Sequence, residues 1–276
     1  MSFKMIVLAK QVPDTRNVGK DAMKADGTIN RAALPAIFNP EDLNALEQAL
    51  RIKDKFPGST IIVLTMGPGR ASDLLRDSLF RGADEGVLLS DRAFAGADTL
   101  ATSYALSTAI KKIGDYDLIL GGRQAIDGDT AQVGPQVAEK LGLPQITYSE
   151  EIINITADQI KVRRLIKGGV EVVTSPLPCL VTITGTAGEA RPQNAKRVMQ
   201  YKNTVAVKDD DNAVIKEWDT ASVNAEIEKC GLSGSPTRVK HVENIVFQAK
   251  DSQRLGSSDN EIEGLMIELL NNHTIG

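Results

Sequence analysis

Histidine, cysteine and aromatic residues are all scarce in this chain of 276 residues. The two histidines, His241 and His273, lie in a polar C-terminal region, so a catalytic triad or a zinc site would lack side chains that it needs. The two cysteines, Cys179 and Cys230, are far apart and match no metal or redox motif. We therefore expect the protein to be located in the reducing cytoplasm. Aromatic residues make up 4%, which leaves little for stacking on single-stranded nucleic acid.

Strong charge and long apolar runs are missing as well. The formal net charge is −4, whereas a nucleic-acid-binding protein has a basic surface, so we expect no nucleic acid partner. No run approaches the roughly 20 apolar residues of a transmembrane helix, and the first residues do not have the shape of a signal peptide. The phosphate-loop pattern of P-loop NTPases does not occur. The hydrophobic share of 42% is enough for one large or two modest cores.

Strands and helices alternate up to about residue 150. Apolar runs at 60–65, 85–89 and 116–120 predict buried strands, and amphipathic segments between them predict helices. Asn39 followed by Pro40 is a strong helix start, because asparagine caps a first turn and proline suits its first position. A turn is predicted at residues 25–28. The alternation predicts an α/β fold with a doubly wound, mostly parallel sheet.

The pattern changes after about residue 150. Short strands between 151 and 184 predict antiparallel hairpins at the edge of the sheet. The chain from about 203 onward is charged and loose up to a last amphipathic helix at 261–271. We therefore predict an α/β domain at 1–202, with the antiparallel extension from about 150, and an extended C-terminal arm at 203–276 that packs on a partner subunit. A mobile tail is the alternative for the arm.

The most informative segment is 121–134, which reads GGRQAIDGDTAQVG. It follows a predicted strand and leads into a predicted helix at 130–141. Glycines at such a turn let the main chain approach a phosphate, and the N–H groups of the first helical turn point at it. An ordinary turn without a ligand is the alternative, because open α/β sheets have several such turns and few bind ligands.

Three charged side chains of this loop qualify the phosphate interpretation. Asp127 and Asp129 would repel a phosphate, and they suit ribose hydroxyls, a helix cap or a lysine partner better. Arg123 could pair with a phosphate or lie over an aromatic ring. A solvated surface arginine is the equally acceptable alternative.

Two further turns follow predicted strands. The string at 67–72, GPGRAS, nearly matches the dinucleotide fingerprint, and Asp91 lies at about the expected distance. Its proline stiffens the turn and a serine replaces the last glycine, so a plain strand-to-helix turn is favoured. After the next strand, Asp98 or Thr99 can cap the helix, or the hydroxyls of Thr99 and Thr102 can face a ligand.

Seven strings along the chain match one protein family almost end to end. Through them the chain resembles the beta subunits of the electron-transfer flavoproteins, and this resemblance implies a doubly wound sheet of the adenine-nucleotide-binding type. The matching strings are Val7–Asp14, Phe38–Asp42, Thr65–Pro68, Arg81–Asp84, Asp91–Thr102, Gly122–Gly134 and Gly234–Thr237.

The resemblance also implies a heterodimer with an alpha subunit that holds an electron-carrying FAD. The pocket of the beta subunit holds structural AMP in one branch of the family. In the electron-bifurcating branch it holds a second FAD, to which NADH delivers a hydride. Residues 91–102 and 128–131 resemble the bifurcating forms, so FAD is expected here and AMP is the alternative. Electrons would pass between NADH or a flavoprotein dehydrogenase and a ferredoxin, a flavodoxin or a quinone-linked acceptor.

The family pattern and the strand ends together define a set of residues expected to bind the cofactor. None of them need act as an acid or a base, because the cofactor supplies the redox chemistry. A sensor that binds an adenine nucleotide without redox work is the competing hypothesis. The expected cofactor-binding residues are Leu8, Ala9, Asn39, Asp42, Met66, Asp98, Thr99, Thr102, Arg123, Gln124, Ala125, Ile126, Asp127, Gly128, Asp129, Thr130, Ala131, Gln132, Val133 and Gly134.

The resemblance also predicts a docking loop for redox partners, with Arg191, Ala195 and Met199 as its residues. The family often has a leucine anchor between the arginine and the methionine, where this chain has Ala195. A small side chain cannot fill a hot-spot pocket. We therefore expect a flavoprotein partner other than an acyl-CoA dehydrogenase, such as a 2-hydroxy-acid dehydrogenase.

Overall fold

The computed structural model describes residues 1–14, 35–237 and 254–271. The chain divides into two compact units, Met1–Lys240 and His241–Gly276. The described part of the second unit contains one helix, none of whose residues is buried. The turn predicted at 25–28 and both histidines lie outside the described residues.

The secondary structure of the described residues alternates as the sequence predicts. The strands are β1 (Lys4–Leu8), β2 (Gln11–Pro13), β3 (Ala36–Phe38), β4 (Thr60–Met66), β5 (Glu85–Leu89), β6 (Leu118–Gly122), β7 (Gln145–Ile155), β8 (Gln159–Ile166), β9 (Gly169–Pro176), β10 (Cys179–Ile183), β11 (Val207–Lys208) and β12 (Ile215–Trp218). The α-helices are α1 (Pro40–Lys55), α2 (Ser72–Arg81), α3 (Thr99–Ile113), α4 (Val133–Leu141), α5 (Ala195–Tyr201) and α6 (Asp259–Asn271).

The main sheet has ten strands in the order β11-β12-β5-β4-β1-β6-β10-β7-β8-β9. The strands from β11 to β7 pair in parallel, and β7, β8 and β9 pair antiparallel. β2 and β3 form a separate antiparallel pair. The predicted α/β fold with a doubly wound, mostly parallel sheet is therefore confirmed.

Helices cover both faces of the parallel part of this sheet. In β1, Met5 and Val7 pack in a core with residues of α1 and α2, whereas Ile6 and Leu8 pack in a second core with residues of α3 and α4. Because successive side chains of a strand point to opposite faces, one fully apolar strand serves both cores. This explains why β1 shows no alternation of polar and apolar residues.

Two predicted assignments are corrected by the sheet topology. Residues 180–184 were expected in the antiparallel extension, but β10 lies in the parallel sheet between β6 and β7. Its five residues are all buried, which an edge hairpin would not achieve. Residues after 203 were expected in an extended arm, but β12 pairs in parallel with β5, and Trp218 is 5% exposed. The first compact unit thus continues past the predicted boundary.

Candidate functional site

A pocket of about 390 Å³ lies at the carboxyl ends of the parallel strands. β1 leads by way of α1 to β4 on one side, whereas β6 lies on the other side of β1, so the strand order reverses between β1 and β6. Doubly wound sheets bind ligands at such a switch point. The lining residues outside the set expected to bind the cofactor are Lys10, Leu64, Phe94, Gly96, Ala97, Leu106, Gly121 and Gly122.

All predicted cofactor-binding residues except Asn39, Ile126 and Asp127 line this pocket. Gly121 and Gly122 end β6 and open the segment 121–134, whose glycines the sequence predicts to approach a phosphate. The buried apolar residues outside the expected set could not be told from ordinary core residues by sequence. The structure thus brings the predicted residues into one pocket, while their contact with a cofactor stays a prediction.

Asn39 holds the pocket loop from outside the pocket. The sequence predicts that its side chain caps α1, but the structure shows no such side-chain bond. Instead the Nδ2 atom donates to the carbonyl of Gln124 at 2.9 Å, and the Oδ1 atom accepts from the N–H of Ile126 at 3.1 Å. Since Asn39 is fully buried, these two bonds satisfy its amide and fix the loop against the start of α1.

Asp42 spans the switch point of the sheet. Its carboxylate accepts the N–H of Lys10, which follows β1, at 2.8 Å, and the N–H of Gly122, which ends β6, at 2.9 Å. Burial raises the pKa of Asp42 to about 7, although both main-chain bonds act in the opposite direction. One carboxyl group thus joins the ends of the two strands between which the pocket opens.

Arg123 lies between a carboxylate and an aromatic ring. Its Nη2 atom is 3.1 Å from the Oε1 atom of Glu41, and its Nε atom also donates to that carboxylate. The guanidinium carbon is 5.4 Å from the ring centre of Tyr148, as the aromatic alternative predicts. Glu41 further accepts the N–H of Gln124 at 2.9 Å. The arginine is therefore held in place rather than solvated, with 28% of its side chain exposed.

The two aspartates of the loop have partners within the chain. Asp127 forms an ion pair with Lys10 at 2.7 Å, which agrees with the predicted alternative of a lysine partner. Asp129 accepts a hydrogen bond from the Nε2 atom of Gln124 at 2.8 Å. Asp129 and Ala131 both have positive φ angles, 48° and 52°. Residues other than glycine adopt this backbone conformation at a cost of about 1–2 kcal/mol, which surrounding contacts must offset. Such local strain is typical of functional loops.

The start of α3 also lines the pocket. Asp98 caps this helix, as predicted, by accepting the N–H of Ala101 at 3.0 Å. Its other oxygen accepts the N–H of Thr237, and its own N–H donates to the hydroxyl of Ser235. The hydroxyl of Thr99 donates to Gln132 at 2.8 Å, so α3 is tied to the segment before α4.

The turn at 67–72 is a plain strand-to-helix connection, as the sequence favours. It forms a short 3₁₀ helix, Gly69–Ala71, before α2. Asp91, the candidate acidic residue of the dinucleotide fingerprint, is not among the residues that line the pocket. It accepts from the hydroxyl of Thr220 at 2.6 Å and from the N–H of Ala93 at 3.0 Å, and these bonds hold its pKa below the usual value.

The predicted docking residues occupy two different environments. Arg191 binds the carboxylate of Glu47 through its Nε atom at 2.8 Å and that of Asp54 through its Nη2 atom at 2.8 Å. Ala195 and Met199 lie on α5, and Met199 is 67% exposed. The guanidinium of Arg191 is thus engaged within the chain, whereas the methionine is available to a partner.

None of the helices in the described part of the chain combines the length and the apolar composition needed to cross a membrane.

Comparison with known proteins gives a consistent family. A model of the electron transfer flavoprotein domain matches residues 26–225. Subunit CarD of the caffeyl-CoA reductase-Etf complex of Acetobacterium woodii is 43% identical over 269 residues, covering 97% of this chain and 98% of the relative. The electron transfer flavoprotein subunit beta of Clostridium acetobutylicum is 44% identical over 238 residues, which is 86% of each chain. The acryloyl-CoA reductase electron transfer subunit gamma of Anaerotignum propionicum is 41% identical over 277 residues, 99% of this chain and 100% of the relative. The chain therefore belongs to the electron transfer flavoprotein family, among its beta subunits.

Proposed function

We propose that this chain holds an FAD in the pocket between β1 and β6 and works with an alpha subunit in flavin-based electron bifurcation. The observation that carries the proposal is the pocket itself, which gathers nearly all of the residues expected to bind the cofactor. NADH is the electron donor in this proposal. A flavoprotein dehydrogenase and a ferredoxin or flavodoxin are the further redox partners, and the complex works in the cytoplasm.

The residues of the pocket fit a cofactor that contains an adenine nucleotide. The volume of about 390 Å³ lies within the range of roughly 300–1,000 Å³ that is typical of small-molecule sites. Gly121 and Gly122 bring the main chain to the pocket without side chains, and the first N–H groups of α4, at Val133 and Gly134, have no partner within the helix. Among the described residues, the lining contains no cysteine. The flavin would therefore supply the redox chemistry while the chain binds and orients it.

The names of two relatives support a reductase as redox partner. The A. woodii protein is named as part of a caffeyl-CoA reductase-Etf complex, and the A. propionicum protein as the electron transfer subunit of an acryloyl-CoA reductase. Both names associate an electron-transfer protein with a reductase of a CoA ester. We propose that Ala195 and Met199 on the exposed side of α5 contact that partner, with Arg191 supporting the loop, and that α6 packs on the alpha subunit.

Cofactor analysis of the complex tests this proposal. The chain is coexpressed with its alpha subunit, and the ligands released from the purified heterodimer are identified by mass spectrometry and counted. Two FAD per heterodimer are expected. One FAD and one AMP would contradict bifurcation, and a colourless complex would support the sensor without redox work.

A matched pair of tryptophan variants assigns one cofactor to this pocket. Ala97 lines the pocket, whereas Ala95 lies two residues earlier, is exposed and is not among the lining residues. A97W should retain one flavin fewer than the wild type, and A95W should retain both. Equal flavin content in the two variants would place the second cofactor elsewhere. Anaerobic addition of NADH should then bleach the flavin absorbance of A95W and leave the flavin remaining in A97W oxidised.

A further inference from the structure

We infer that Glu41, which does not line the pocket, is a positioning residue that sets both the orientation and the net charge of Arg123 toward the bound flavin. This inference rests on the proposed function. It goes beyond the choice of cofactor, because it concerns how this chain adjusts the reduction equilibrium of whatever flavin it binds. The contacts of Glu41 with Arg123 and Gln124 support it.

The geometry leaves Arg123 little freedom. Glu41 binds the guanidinium through its Nε and Nη2 atoms, and the same carboxylate accepts the N–H of Gln124, the next residue in the chain. The ring of Tyr148 packs near the guanidinium. A guanidinium held by two N–H groups on one carboxylate is fixed in direction as well as in place. Glu41 therefore determines which atoms of Arg123 face the pocket.

The charges give this arrangement a second consequence. The carboxylate of Glu41 is 13% exposed and lies 3.1 Å from the guanidinium, so the pair is close to neutral when seen from the pocket. Reduction adds negative charge to a flavin, and an uncompensated cation nearby favours the reduced form. Glu41 thus lowers the flavin potential relative to a site with a free arginine at position 123.

If Glu41 has this role, replacing Glu41 and replacing Arg123 should shift the flavin potential in opposite directions. In E41Q the charge of Arg123 is uncompensated, and the potential of the flavin in this pocket should rise. In R123Q the charge of Glu41 is uncompensated, and the potential should fall. Each shift should reach at least tenfold in the reduction equilibrium, which is about 30 mV for a two-electron couple. The double variant E41Q/R123Q restores charge balance and should lie between the single variants.

A matched control separates this role from a general charge effect. Glu47 lies on the same helix, six residues or about 9 Å further along its axis, and it pairs with Arg191 and Arg51 instead. E47Q removes the same charge and should leave the potential within about threefold of the wild-type equilibrium. E41D keeps the charge at position 41 and serves as the second variant if E41Q fails to fold or to retain flavin. It too should stay within about threefold, whereas a tenfold shift in E41D would overturn the inference.

The experiment is a spectroelectrochemical titration of the full heterodimer, with both flavins counted beforehand in every variant. Two flavins and opposite shifts in E41Q and R123Q support the inference. Two flavins with E41Q shifted no more than E47Q would overturn it while leaving the proposed function intact. One FAD and one AMP would overturn both.

Discussion

Replacing Gly122 with alanine tests whether close contact between the end of β6 and the start of α1 is needed to form the pocket. A Cβ atom at this position would lie 2.4 Å from the Oδ1 atom of Asp42, 2.7 Å from the nitrogen of Asp42 and 2.8 Å from the carbonyl carbon of Glu41. Two of these atoms belong to the main chain, so no side-chain rotation relieves the overlap. The strand and the helix must separate by roughly 1 Å to reach ordinary contact of about 3.5 Å.

The cost of G122A has two parts. Overpacking of this kind destabilises a protein by about 1–3 kcal/mol. The separation also weakens the hydrogen bond from Gly122 to the carboxyl of Asp42, and above the pKa of about 7, where this group is charged, such a bond contributes about 1.5–3 kcal/mol. The free energy of unfolding should therefore fall by about 3–5 kcal/mol. At about 2–4 °C per kcal/mol for a domain of this size, the melting temperature should fall by about 6–20 °C.

Thermal unfolding and cofactor content of the coexpressed heterodimer measure this prediction. The matched control is G69A, at the turn after the neighbouring strand β4, where an added Cβ atom has no neighbour within 4 Å. G69A should melt within about 2 °C of the wild type, because surface changes usually alter stability by less than about 0.5 kcal/mol. If G122A has the same melting temperature as G69A and retains the same cofactor, the contact between Gly122 and α1 does not shape the pocket.

Three further predictions concern the residues that hold the pocket and the docking loop. The pKa of Asp42 is about 7 in the folded chain and 3.8 without burial, so the folded state holds an extra proton between these values and the free energy of unfolding falls as pH rises through them. The stability of wild type relative to D42N should fall over this range with a slope approaching about 1.4 kcal/mol per pH unit in chemical denaturation, and a pH-independent difference would contradict the assignment. N39A should lower the free energy of unfolding by about 2–4 kcal/mol and speed proteolysis at the loop that contains Gln124, because two buried hydrogen bonds are lost; N39A protein as resistant to protease as N44A would refute this role. R191A should lower stability by about 2–5 kcal/mol, because it leaves the nearly buried Glu47 without its main partner, and unchanged urea denaturation would argue instead for a role in docking alone.

Local features of the fold were predictable because their causes are local. α1 begins at Pro40, as predicted, although the side chain of Asn39 does not cap it, and β5 occupies the predicted residues, 85–89. The pocket loop was found because glycines between a strand and a helix are visible in the sequence, and the switch point of a doubly wound sheet follows from the alternation of elements. The family strings added residues such as Leu8 and Met66, which line the pocket and which apolar patterning alone would have assigned to the core.

The amino-acid sequence by itself determined the alternating elements, the parallel core and the loop at 121–134, since hydrophobic period and turn residues act over a few positions. Only the tertiary structure decided that β10 and β12 complete the parallel sheet, because strand order depends on which edges remain open after the other strands have paired. It also decided the partners of Asn39, Glu41 and Asp42. These side chains bind Arg123 and main-chain atoms of Gly122, Gln124 and Ile126, which lie 80 or more residues away in the chain. Hydrogen bonds over such separations leave no periodic trace in a sequence, so they become visible only once the chain has folded.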